Sequence, residues 1–157
     1  MSRIIRDAIY YDGISDYIPS DINCYTYKSI DKIITLKEDL PSIDEIINVK
    51  VIYNLKDKKV VKTATGTSLE GQVLTGLKLI SEGEFVIRID YSNEELNGCI
   101  YTFKEKIYFN NAVDLNLSYS INSRIVENIY IEDIYVEKNN ERELIANISY
   151  IFAIEDY

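Results

Sequence analysis

From Leu144 to Ile154 the chain places Leu144, Ala146, Ile148, Tyr150, Phe152 and Ile154 at every second position. A period of two means a strand with one buried face, because successive side chains of a strand point to opposite sides. The same period recurs at Ile47, Val49, Val51, Tyr53 and Leu55, and at Phe85, Ile87, Ile89 and Tyr91. It appears again, with one gap, at Tyr101, Phe103, Ile107 and Phe109. No segment sustains a helical period beyond two turns, so the chain is expected to be all-β. Hairpins in succession predict an antiparallel β-sandwich or open barrel with long C-terminal strands.

Polar clusters supply the expected turns. Lys56-Asp57-Lys58 reads as the tip of a hairpin that returns through Val60–Thr65. Ser92–Gly98 and Lys138–Glu141 read as turns, Asn110-Asn111 as a strand end and Gly66–Gly76 as a loop. Pro41-Ser42 followed by Asp44 and Glu45 carries the signals of a short helical turn. Within Ile125–Val136 the parity changes: Ile129 and Ile131 point one way, Ile134 and Val136 the other. A β-bulge at Glu132-Asp133 re-aims side chains in this manner.

A length of 157 residues fits a single domain. The first stretch differs from the rest, so the reading divides the chain into an N-terminal arm, residues 1–30, and a β domain, residues 31–157. The arm interleaves Gly13, Pro19 and several aspartates with Tyr10, Tyr11, Tyr17, Tyr25 and Tyr27, without a clean period; a short strand is expected around Ile4–Tyr11. Tyrosine offers a large, stiff contact area with a polar tip and is enriched at interfaces. Two readings stand: the arm packs over its own domain, or it contacts another subunit. In the second, Ile4, Ile5, Ile9 and Tyr11 add a strand to an unpaired sheet edge of the next copy, joining copies head to tail. Removing residues 1–28 would then leave a folded monomer.

Composition narrows the chemistry. The net charge of −9 repels phosphate backbones, so no nucleic-acid partner is expected. No stretch approaches the ~20 apolar residues of a membrane span, and no signal-peptide core precedes the first charges. The chain is expected to be made in the cytoplasm. With no histidine, a Ser-His-Asp or Cys-His arrangement is impossible and imidazole metal ligands are missing. Glu82 with Glu84, and Glu132 with Asp133, are the carboxylate pairs that remain, and acidic surfaces supply such pairs without catalysis. No enzyme activity, cofactor or metal is expected. Cys24 and Cys99 show no CxxC spacing. They are two idle thiols or the partners of a crosslink, within or between chains.

Glu70, Gly71, Leu74, Thr75, Gly76, Lys78, Leu79, Ile80, Glu82, Gly83 and Tyr91 fall on the EGxxLTGxKLIxEGxxxxxxxY pattern of the SPOCS domain family. Ile131–Tyr135 resembles that family's IEDvy element, including Glu132 and Asp133, and Glu141–Leu144 its R-x-[IL] turn, with Arg142 at the arginine. Tyr108 stands where the family has proline before Phe109. The resemblance covers about residues 35–154. It implies a role in spore coat assembly in endospore-forming anaerobes, with synthesis in the mother cell and deposition on the spore surface. The family's best-known member carries SPOCS repeats and a C-terminal LysM domain and binds a coat-building ATPase. A solitary copy with a tyrosine-rich arm instead suits a self-assembling structural subunit, a homo-oligomer or polymer contacting other coat proteins; an adaptor that docks a coat morphogenetic protein is the alternative. Glycan binding on a tyrosine-bearing sandwich face is a third reading.

Overall fold

The computed structural model describes residues 2–71 and 73–155. Its strands are β1 (Ser2–Arg6), β2 (Ile9–Ile14), β3 (Cys24–Thr35), β4 (Glu45–Thr67), β5 (Val73–Asn93), β6 (Cys99–Asp114), β7 (Val126–Asn140) and β8 (Glu143–Glu155). A 3-10 turn, Glu94–Leu96, joins β5 to β6. One sheet has five strands in the order β1-β2-β4-β5-β6, and the other has three in the order β3-β8-β7. They pack as an all-β sandwich and do not close into a barrel.

The alternating residues form the core, as their period requires. Val49 and Val51 of β4, Phe85, Ile87 and Ile89 of β5, and Ile148 and Phe152 of β8 are fully buried. Each such side chain contributes about 1.5–3 kcal/mol relative to exposure. Phe85 lies 4.9 Å, centroid to centroid, from both Phe109 and Tyr150, so an aromatic cluster joins the sheets at mid-height. The bulge in β7 falls where the parity change places it: Ile131 pairs with Tyr150 and Asp133 with Ser149, leaving Glu132 as the extra residue.

Several local expectations are corrected. Lys56-Asp57-Lys58 is not a turn. β4 runs through it with a register shift between Leu55 and Asp57, and the hairpin closes beyond Thr67. Gly76 and Val73–Thr75 belong to β5 rather than to a loop. Asn110-Asn111 does not end β6; Asn111 is buried, and its Oδ1 accepts from the Tyr150 hydroxyl at 2.8 Å. The residues after Pro41 form no helix, and β4 begins at Glu45. One pairing is parallel, not antiparallel: Tyr10–Asp12 of β2 lies beside Asn48–Lys50 of β4. Residues 2–30 are largely regular strand: β1 and β2 make a hairpin on the five-stranded sheet, and β3 is an edge of the other.

Candidate interaction surfaces

Most of the motif residues are structural. Gly83 pairs with Phe109 across β5 and β6, and the ring lies over it. A Cβ there would sit 2.5 Å from Phe109 Cζ and closer still to the Asn54 carbonyl, so only glycine fits. Gly76 has φ +88° and Gly71 φ +84°, conformations that favour glycine, the first inside the ribbon and the second in its turn. Leu74 is half-buried. The Thr75 hydroxyl donates to the Leu115 carbonyl and so attaches the loop after β6, and Lys78 lies 3.7 Å from Asp114 at the end of that strand. Arg142 donates to the carbonyls of Leu40 and Lys37 at 3.0 and 2.7 Å and thereby holds the loop between β3 and β4. Glu82 and Glu132 are exposed.

The N-terminal hairpin covers a sheet edge within the chain. β7 is the outer strand of its sheet, so one row of its backbone groups faces away from β8. Ser15 exchanges hydrogen bonds with Ile131: its N–H donates to the carbonyl, and its Oγ accepts from the Ile131 amide, both at 2.9 Å. Arg6 donates to the Ile134 carbonyl and pairs with Asp133 at 3.1 Å. The Tyr11 hydroxyl bridges both backbone groups of Val136 at 3.1 Å. Ile4 and Ile9 pack against the core, whereas Ile5 is exposed. Arg3 stacks over the Tyr10 ring at 4.7 Å.

The remaining arm tyrosines lie elsewhere. Tyr25 and Tyr27 point outward from β3, each 55% exposed, and Tyr17 is exposed in the connection to it. In register across β8, Tyr25 faces Ala153 and Tyr27 faces Ile151; Ile33, 61% exposed, faces Ile145. The outer face of the three-stranded sheet therefore presents aromatic and aliphatic side chains at both ends. Between them runs a polar row in which Asn147 donates to Ser29 Oγ and Asp31 Oδ1 at 2.8 and 2.7 Å.

Cys24 is buried, Cys99 is exposed, and both are free thiols. Cys24 lies beside Val113 at one end of β6 and Cys99 begins that strand at the other. At ~3.3 Å per residue this puts them about 45 Å apart, far beyond the reach of a disulfide within one chain.

Sequence reasoning missed the chemistry around Glu84. It is buried on the outer face of the five-stranded sheet, paired with Lys56 at 3.1 Å and Lys106 at 3.5 Å. Burial pushes its carboxyl up, but the Lys56 hydrogen bond and the charges of Lys106 and Lys56 outweigh that and hold it below its usual range. Glu82 and Glu84 do share a face, but these lysines engage Glu84 as an ion-pair partner. Among the described residues no group of three or more metal-ligating side chains comes together, and no helix is long and apolar enough to cross a membrane.

The SipL, SPOCS domain model matches residues 42–139, more than half of the chain, and the chain belongs to this family. Membership implies a role related to sporulation. Neither the curated proteins nor the solved structures contain a match.

Proposed function

We propose that this chain is a non-enzymatic structural protein of the bacterial endospore surface that assembles with copies of itself. The observation that carries this reading is the open outer face of the three-stranded sheet, where Tyr25, Tyr27 and Ile33 stand exposed along β3. Exposed apolar side chains grouped on one face mark contact sites, and membership of a sporulation family supplies the setting. Synthesis in the mother cell and deposition on the spore are part of the same proposal. Joining copies by release of the N-terminal hairpin would break the contacts of Tyr11, Arg6 and Ser15 with β7, so the sheet faces are the better sites for the joint.

Electron microscopy of the purified chain tests the reading: fibres or sheets support it, and dispersed single particles at high concentration count against it. The second reading is an adaptor that docks a coat morphogenetic protein through the same face. Pull-down from sporulating cells separates them. Recovery of copies of the chain alone favours assembly, and a stoichiometric unrelated partner favours the adaptor.

A further inference from the structure

The charges of this acidic chain are segregated between the two outer faces. On the three-stranded sheet, the outward positions of β3, β7 and β8 and the β7 bulge carry Asp31, Glu132, Asp133, Glu137, Glu143 and Glu155. Those positions carry no lysine or arginine; Arg6, reaching over from β1, neutralises Asp133 alone. The five-stranded sheet instead carries a concentration of bases. Lys50, Arg88 and Lys104 lie in register across β4, β5 and β6, and Lys106 follows in the next outward row.

The acids within these rows are already engaged, and the exposed Glu82 lies one row beyond them. Asp12 lies 4.0 Å from Lys50, Asp90 lies 3.3 Å from Arg88, and Glu84 is shared between Lys56 and Lys106. Lys104 has no ion-pair partner among the described residues, and one of the two Glu84 lysines is in excess. This half of the face is therefore net positive, although the chain as a whole carries −9. Apolar side chains accompany both surfaces: Ile52 and Tyr108, 43% and 69% exposed, adjoin the basic rows, as Tyr25, Tyr27 and Ile33 adjoin the acidic ones. The widths also agree. Each surface is three strands across, about 10 Å between its outer strands.

We propose that copies of this chain stack face to back, the acidic outer face of one three-stranded sheet seated on the basic half of the next copy's five-stranded sheet. This rests on the self-assembly reading and names its joint. Opposite potentials set the register and exclude like-on-like pairing. The two surfaces differ, so the contact is head to tail and repeats into an open chain.

The test uses the full chain and two variants, each checked for a native circular dichroism spectrum. Lys50→Glu with Lys104→Glu makes both outer faces acidic; Asp31→Lys with Glu137→Lys gives basic residues to both. Sedimentation is read for each alone and for an equimolar mixture. Each variant alone is expected to need about tenfold or more higher concentration to assemble than the wild-type chain, and the mixture is expected to recover assembly with alternating copies. Wild-type assembly is also expected to weaken between about 0.01 M and 1 M ionic strength, as the screening length falls from about 30 Å to 3 Å. Variants that assemble alone as readily as wild type, a mixture that stays dispersed, or salt-independent wild-type assembly would each overturn the face-to-back joint and leave self-assembly standing. A wild-type chain that stays monomeric at low ionic strength overturns self-assembly itself, and the joint with it.

Discussion

The hydroxyl of Tyr11 donates to the carbonyl of Val136 and accepts from its amide, both at 3.1 Å, so one side chain closes both backbone groups of a residue in the opposite sheet. Tyr11 is 1% exposed and Val136 likewise, so water does not replace the bridge. Tyr11→Phe keeps the ring and removes the bridge, leaving a buried donor and acceptor unpaired. The expected loss is about 1–3 kcal/mol. Urea unfolding should show a lower midpoint with an unchanged slope; an unchanged midpoint would mean that Val136 needs no partner.

Removing residues 1–28 tests the whole hairpin. The deletion takes β1, β2 and the start of β3, and so exposes the edge of β7 and the core beneath Ile4 and Ile9. The truncated chain is expected to be aggregation-prone or unfolded rather than a folded monomer, because an uncovered edge templates other strands. A two-state melt close to that of the full chain would contradict this.

Gly83 and Gly71 separate two uses of glycine. Gly83→Ala drives a Cβ into the Asn54 carbonyl and the Phe109 ring, and is expected to cost about 1–3 kcal/mol or more. Gly71→Ala meets no atom within 4 Å and costs only the backbone preference at φ +84°, about 1 kcal/mol. Trimming the ring with Phe109→Leu should not rescue Gly83→Ala, because the Asn54 carbonyl remains in place. Thermal melts of the three variants distinguish these outcomes.

The lowered Glu84 carboxyl links stability to pH. Its folded value lies below the ordinary 4.5, so its contribution is complete above that range and is lost as pH falls through the folded value. Glu84→Gln is expected to flatten the acid limb of a stability-against-pH curve and to leave the slope at neutral pH unchanged. Identical acid limbs for variant and wild type would dismiss the role of the two lysines.

The thiols should behave independently. Cys99 is expected to react promptly with a thiol reagent, and Cys24 only as the fold opens. Oxidation of dilute protein should yield no species that migrates as an internally linked monomer. Such a band on a non-reducing gel would mean that the ends of β6 approach each other, against the structure.

Alternation made the core of β5 and β8 legible, and the parity change in β7 exposed its bulge, because buried side chains have to return to the inner face. The register shift at Lys56 had no such marker. Its neighbours are exposed lysines and an aspartate, and a polar run looks alike whether it turns or continues. The β1–β2 turn was hidden for a related reason. Asp7 and Ala8 take φ +52° and +63°, the geometry of a tight hairpin, without the glycine or asparagine that usually announces it. The Glu84 cluster was illegible because Lys56 and Lys106 reach it from neighbouring strands, and register between strands is not written in any one of them. The sorting of charge between the two faces escaped notice for the same reason. Net charge is a sum over the chain, whereas a face collects alternate residues from strands far apart in sequence.

The Tyr11–Val136 bridge also orders events during synthesis. Tyr11 leaves the ribosome 125 residues ahead of the residue it seals. The lock cannot close until both sheets have emerged, so native contacts accumulate late and the loop to be closed spans 125 residues. Until then the nascent chain carries an open strand edge, and crowded translation of many copies is the period when it is most vulnerable to joining its neighbours wrongly.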